Sequence, residues 1–396
     1  MSRIVVTGLG AISALGHSVA ENHSALINGI CGLSSLELFK TKFANTLSFG
    51  EIKLNNENLR QKHNAKESGL TRTSLLALHA FEEAIADSKL SSTEVSSYDT
   101  ALIVASTVGG MCLTDELYND SNKKSDGSAF LGSYDCASVG IYLQQRIKLK
   151  GVVNSINTAC SSGANAIMYG ARLIENGYAK RAIVGGADSL AKFTINGFNS
   201  LNILAPQNCR PFDHERNGLN LGEGSGFLVL EREEDCANKK VYAVLAGYSN
   251  ANDAFHPSSI SENGQGPFLA MKGSLQKAGL APEKINYINT HGTGTENNDE
   301  TESRAMQRVF KIVPPFVSSK SKIGHTLGAA SAIEAVFCIL ALKNNEIYPS
   351  LNFSTPIPST GLSPVTTYQK HEIQNIMCNS FGFGGNCSAL IFSKAF

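Results

Sequence analysis

The hydrophobic pattern of the chain alternates between two periods. Short apolar runs at residues 4–10, 101–105, 182–188 and 227–231 read as strands covered on both faces, and 152–156 as a buried strand of alternating pattern. Between them, residues 75–85 and 164–174 place apolar side chains at helical spacing. The glycines at 8 and 10 lack the GxGxxG spacing of a nucleotide loop and predict a tight turn. A glycine-rich loop at 107–111 follows the second strand, where backbone can approach a ligand or another chain.

After a charged junction at 232–240 the plan returns, with strands at 242–246, 285–289 and 316–319 and a helix at 268–278 closed by Gly279. Strands alternating with helices predict an α/β architecture with right-handed crossovers. The repetition predicts two similar halves, residues 1–235 and 236–396. The polar stretch 34–70 reads as a surface excursion, and 119–128 as a loop or subunit-edge insertion.

Composition narrows the class of protein. With 396 residues and 42% hydrophobic content the chain can bury a large core, and its zero net charge argues against wholesale nucleic-acid binding. The first residues have no signal-peptide layout, and the most apolar stretch, 335–342, is too short to span a bilayer. Nine cysteines without CxxC pairs or metal spacing point to a reducing, cytoplasmic compartment and to no metal centre.

One cysteine is placed for chemistry. Cys160 follows the run 152–156 and precedes a small-residue helix, so it sits at a strand-to-helix turn where helix N–H groups favour a thiolate. A matching helix start, Gly324-His325-Thr326-Leu327-Gly328-Ala329-Ala330-Ser331, lies 165 residues further on. Four segments carry reactive or glycine-rich chemistry in order: Thr158-Ala159-Cys160-Ser161-Ser162-Gly163, Thr290-His291-Gly292-Thr293-Gly294-Thr295, Ser319-Lys320-Ser321-Lys322-Ile323-Gly324-His325 and Asn379-Ser380-Phe381-Gly382-Phe383-Gly384-Gly385-Asn386.

Together with Arg210-Pro211-Phe212-Asp213 and Gly222-Glu223-Gly224-Ser225-Gly226, these segments resemble the elongating β-ketoacyl-acyl-carrier-protein synthases over nearly the whole chain. The resemblance implies a thiolase-like five-layered α-β-α-β-α fold and decarboxylative Claisen condensation of an acyl chain with malonyl-acyl-carrier protein. It implies Cys160 as nucleophile, His291 and His325 as the active-site histidines, and Lys320 as an electrostatic support acting through Glu302. Phe383 matches the gating loop, and its N–H with that of Cys160 would bind the oxyanion. Thr293 and Thr295 match the threonines that hold the phosphopantetheine arm, so no cofactor of the enzyme's own and no metal is expected.

Val108 and Phe198 are placed for control of acyl length, and His256 lies in a loop beside the site, evenly balanced between function and structure. Expected partners are an acyl carrier protein, docking on Arg60, Lys62, Lys66 and Arg72, and a second subunit, either a copy or a chain-length factor, near 130–136. No membrane is implied. Two motifs depart from the family pattern: Glu296-Asn297-Asn298-Asp299 replaces Pro-x-Gly-Asp in a loop near the arm, and Asn386-Cys387 replaces Thr-Asn. These changes lean toward a specialised polyene or polyketide synthase. A thiolase-type acyltransferase, or a synthase active only beside a non-catalytic partner, is the alternative.

Overall fold

The computed structural model describes residues 3–38 and 40–395. Among these residues, ten strands form one mixed sheet: β1 (Ile4–Ile12), β2 (Thr100–Ala105), β3 (Val153–Ile156), β4 (Arg181–Asp188), β5 (Gly224–Arg232), β6 (Ala243–Asn252), β7 (Tyr287–Asn289), β8 (Phe316–Val317), β11 (Asn375–Phe381) and β12 (Asn386–Ser393). A separate ribbon pairs β9 (Glu346–Ile347) with β10 (Gln369–Lys370). The main order is β3-β2-β4-β5-β1-β6-β12-β11-β7-β8.

Read inward from either edge, three strands run parallel and the next two antiparallel, so the pattern of one half is repeated in the other. The halves join through β1 and β6 at Val5↔Val244 and Val6↔Ala243. Apolar packing on the two sheet halves makes five layers. Helix Arg72–Ser88 covers the outer face of the first half; Ser162–Glu175 and Ala330–Asn344 share the middle; Gln265–Ala278 and Glu296–Val309 cover the outer face of the second. This is the thiolase-like α/β fold.

The middle helices are mostly buried, Ala330–Asn344 on every face and Ser162–Glu175 on all but a stripe through Tyr169, Arg172 and Glu175. Val336, Ile339 and Leu342 are buried on one, Ile167, Ala171 and Ile174 on the other, as expected for elements enclosed by sheets. Helix Ala330–Asn344 extends the apolar run 335–342 in both directions. Its helical span 327–344 is long and apolar enough to cross a membrane by composition, yet 89% of it is buried inside the fold.

Four expectations are corrected. Gly8 and Gly10 lie within β1 instead of turning it: a Cβ at Gly10 would meet the Ala80 carbonyl oxygen at 1.9 Å, so the glycines let helix Arg72–Ser88 rest on the strand. The excursion 34–70 contains helix Asn56–His63 and buries Leu36, Phe49, Ile52 and Leu59. The insertion 119–128 begins inside helix Thr114–Lys123. Strand β3 is a half-exposed edge instead of a buried strand, because only β2 pairs with it.

Candidate active site

Cys160 stands where β3 gives way to helix Ser162–Glu175. The chain reverses at Ala159, which takes φ +53°, a left-handed conformation that alanine adopts only under constraint from its surroundings. The constraint is visible: Ser162 Oγ accepts from the Thr158 N–H at 2.9 Å and donates to the Ala159 carbonyl at 2.5 Å. Ser380 Oγ donates to the Cys160 carbonyl at 2.9 Å, tying the turn to β11.

A second loop, residues 382–386, meets this turn. Asn386 Oδ1 accepts from Ser161 Oγ and from Asn165 Nδ2, each at 2.8 Å, and its carbonyl accepts from the Gly382 N–H at 2.8 Å. The loop carrying Phe383 is thereby closed against the start of helix Ser162–Glu175. Gly382 is required there, since a Cβ would lie 2.6 Å from the Thr158 carbonyl oxygen.

The sulfur of Cys160 and one ring nitrogen each of His291 and His325 lie within 4.8 Å of one another, all three residues being buried. The two imidazoles meet edge to face with centroids 5.4 Å apart. Burial, the nearby Lys320 ammonium and, for His291, its partner imidazole hold the histidines well below their ordinary pKa, so both are neutral at physiological pH. His325 Nδ1 accepts from the Leu327 N–H at 3.0 Å, which leaves Nε2 as the protonated nitrogen. Three such donors in one place could hold a metal by spacing alone. The Leu327 contact opposes it, because a ligating Nε2 would need the lone pair that its proton occupies.

Helix position does not make Cys160 a ready thiolate. Burial pushes the thiol up to about 11 and the Asp188 charge works in the same direction, against the Lys320 ammonium and the N–H groups of Phe383 and Cys160, which favour the anion. The sequence expectation weighed the helix terminus and not the desolvation of a fully enclosed sulfur.

Lys320 is 1% exposed and pairs with Glu334, 0% exposed, at 2.6 Å. Glu302, expected beside this lysine, instead accepts the N–H groups of His291 and Gly292, each at 2.9 Å, and of Asn379 Nδ2 at 3.1 Å. Burial raises its carboxyl to about 7. Glu302 therefore holds the backbone beneath His291, and the lysine's counter-ion comes from the middle helix. Glu334 had a signal in the sequence: it is the one acidic residue in the apolar helix Ala330–Asn344, and a charge so placed must be paired. Lys322, two residues along, is also 1% exposed, donates to the Pro349 carbonyl and is pushed down to about 7 by burial.

A cavity of about 410 Å³ opens above the cluster, lined by Cys160, His291, His325, Thr293, Thr295 and Phe383 among others. The two threonine hydroxyls are 2.8 Å apart. Phe383 is 37% exposed and its ring stacks on Phe198, which also lines the cavity, with centroids 5.8 Å apart. Val108 is fully buried behind this wall, in an apolar cluster with Ile195 and Leu327 against which Phe198 packs. His256 is exposed and outside the lining, though the neighbouring Pro257 carbonyl accepts the Gly384 N–H at 2.7 Å. Residues 296–299 begin helix Glu296–Val309 instead of a loop, and Glu296, Asn297 and Asn298 line the cavity. Arg72 is unavailable for docking: it grips Glu223 with two hydrogen bonds, at 2.6 and 2.8 Å, and holds the carbonyls of Ile52 and Leu54. Arg60 is similarly spent on the carbonyls of Ala65, Glu67 and Leu70, while Lys62 and Lys66 remain exposed.

The family model "Beta-ketoacyl synthase, N-terminal domain" matches residues 1–236 and its C-terminal companion residues 242–354. The 3-oxoacyl-[acyl-carrier-protein] synthase 2 of Synechocystis sp. is 32% identical over 99% of this chain and 98% of its own; that of Vibrio cholerae is 31% identical over 99% of each. Among solved structures, the ishigamide ketosynthase/chain length factor superposes with a TM-score of 0.93 at 28% identity, covering 100% of both chains. The ketosynthase ApeO, solved in complex with its chain length factor ApeC from Xenorhabdus doucetiae, gives 0.87 at 30% identity over 100% of this chain and 98% of its own. With its motifs, its fold and both family models in agreement, the chain belongs to the beta-ketoacyl synthase family.

Proposed function

We propose that the protein is a 3-oxoacyl-[acyl-carrier-protein] synthase that lengthens acyl chains by two carbons in fatty-acid or polyketide synthesis. The observation that carries this reading is the buried cluster of Cys160, His291 and His325, in which the Leu327 amide makes His325 a donor. Residues 1–235 supply the nucleophile and 236–396 both histidines, so the site lies between the halves.

In the first half-reaction Cys160 sulfur attacks the thioester carbonyl of an acyl-carrier protein, forming the new C–S bond and expelling the carrier's thiol. The Cys160 and Phe383 N–H groups, which favour the thiolate, also stabilise the tetrahedral oxyanion. Lys320, held in place by Glu334, lowers the cost of generating the thiolate. In the second half-reaction malonyl thioester loses carbon dioxide, and its bonding electrons move onto the α-carbon and thioester oxygen. Neutral imidazole N–H groups of His325 and His291 donate to that oxygen, each such donor contributing on the order of 3 kcal/mol where charge develops. The carbanion attacks acyl-Cys160, and collapse of the adduct returns the thiolate. Thr293 and Thr295 hold the phosphopantetheine arm at the cavity wall, and Val108 and Phe198 limit the acyl chain.

The partners are an acyl carrier protein and a second subunit. Free cysteines at all nine positions support a reducing compartment, the cytoplasm. A surface for that second subunit, either a copy or a chain-length factor, is supported by the exposed apolar residues Leu131, Ile141 and Val152; the second reading is activity only beside a chain-length factor. The deciding experiment is intact-protein mass spectrometry of wild type and Cys160→Ser with acyl-carrier proteins of graded length, then malonyl-carrier protein. A Cys160-dependent acyl adduct that discharges as a β-ketoacyl product two carbons longer is expected. Hydrolysis of the adduct without carbon–carbon bond formation would overturn the reading, and loading only after addition of a chain-length factor would establish the second one.

A further inference from the structure

The most heavily bonded carboxylate beside the site takes no part in the steps above. Asp188 ends β4, is 0% exposed, and forms no ion pair among the described residues. Its Oδ1 accepts from Ser106 Oγ at 2.8 Å, the Thr107 N–H at 2.9 Å and the Val108 N–H at 2.8 Å. Its Oδ2 accepts from Thr107 Oγ1 at 2.6 Å, again from the Thr107 N–H at 3.1 Å, and from the Gly328 N–H at 2.7 Å. A buried carboxylate with so many donors is held without a cation.

The donors come from segments far apart in the sequence, residues 106–108 and Gly328. Val108 belongs to the apolar wall behind the cavity; Gly328 lies in the turn Leu327–Ala329, whose first amide fixes the tautomer of His325. The junction has no slack: a Cβ on Gly328 would sit 2.9 Å from Asp188 Oδ2 and 2.9 Å from Thr107 Cγ2. The wall that measures the acyl chain and the amide that orients the imidazole are thus referenced to one group.

We propose that Asp188 is a positioning residue for condensation, clamping residues 106–108 of the first half to the 327–329 turn of the second so that His325 keeps its donor nitrogen aimed at the developing enolate. The proposal rests on the reading of His325 given above. Asp188 also opposes the Cys160 thiolate electrostatically, while Lys320 favours it; with His291 and His325 these are the titratable groups around the sulfur. The clamp therefore has a geometric and an electrostatic effect, and they can be separated.

Asp188→Asn keeps the shape but turns an NH₂ toward N–H donors and removes the charge. Gly328→Ala wedges the clamp open and keeps the charge. Both are compared with wild type and His325→Ala for malonyl-carrier decarboxylation, and for iodoacetamide alkylation of Cys160 as a function of pH. Asp188→Asn is expected to lower kcat for decarboxylation at least tenfold with KM within twofold, and to move the alkylation profile to lower pH. Gly328→Ala is expected to lose kcat similarly with the alkylation profile unmoved, a dissociation that general loss of structure does not produce. Wild-type decarboxylation in folded Asp188→Asn or Gly328→Ala overturns the proposal. If both fail to fold, Ser106→Ala removes a single donor and is expected to cost two- to fivefold, and an unchanged rate there overturns it equally. Full decarboxylation by His325→Ala would instead overturn the reading of the site.

Discussion

Lys322 is a cation buried two residues from Lys320 whose side-chain hydrogen bond among the described residues goes to a carbonyl, and replacing it should stabilise the protein. Its ammonium is 1% exposed and donates to the Pro349 carbonyl, and burial brings its pKa from 10.5 to about 7. The sign follows from linkage. A lysine whose folded pKa is depressed binds fewer protons folded than unfolded between pH 7 and 10.5, so its penalty is full below pH 7 and relieved as pH rises to 10.5. A shift of that size corresponds to about 5 kcal/mol, of which roughly 2.5–3 kcal/mol is relieved between pH 6 and pH 9.

Lys322→Met keeps the linear shape and removes the charge, at the expense of about 1–2 kcal/mol for the Pro349 carbonyl left without its donor. At pH 6 the variant should melt a few degrees above wild type, because a chain of 396 residues unfolds with an entropy of roughly 0.8 kcal/mol/K. By pH 9 most of that advantage should be gone, leaving a difference of about 3 °C between the two pH values. Differential scanning calorimetry of both proteins from pH 6 to pH 9 measures this. Parallel melting curves across the range would show that the lysine is not the strained group inferred here.

Other perturbations test the remaining contacts. Alkylation of wild-type Cys160 should quicken steadily as pH rises from 7 toward 10, since its thiol titrates near 11; a plateau below pH 8 would mean a pre-formed thiolate. Val108→Phe should exclude the longer acyl primers from loading while sparing the shortest, by filling the wall behind Phe198; an unchanged loading distribution would refute that placement. Glu334→Gln leaves the Lys320 charge buried and unpaired, which should destabilise by about 3–5 kcal/mol. Wild-type denaturant stability in that variant would show that Lys320 is neutral or paired elsewhere.

The chemistry of this chain was easier to read than its packing. Cys160, His291 and Lys320 each follow a strand end and His325 follows the short helix Lys320–Ile323, all within short runs of unusual residues, so local sequence marks them. Strongly patterned segments such as Arg181–Asp188 and Ser162–Glu175 were equally plain, because period and burial agree. Choices made between distant segments were not legible. Whether Lys320 pairs with Glu302 or Glu334 depends on which helix the fold brings beneath it, and Arg72 became structural only because the fold sets Glu223, 151 residues away, against it. Strand β3 alternates like a covered strand, and nothing local says that it has a neighbour on one side only. Helix Thr114–Lys123 buries no residue and is too polar to announce itself through hydrophobic period.

The position of β1 has a consequence for how the protein is made. Its hydrogen-bonding neighbours on the two sides are β5 at 224–232 and β6 at 243–252, so the first of the described strands to be synthesised is the centre of the finished sheet. At about 5–20 residues per second, roughly 10–50 s pass before both neighbours exist. Throughout that interval both edges of β1 stay unpaired, and Ile4, Val6 and Leu9, which end enclosed in the middle layer, lack the cover of helix Ala330–Asn344. Nascent chains stalled before residue 224 should therefore engage chaperones through this first segment and release them once 252 has emerged.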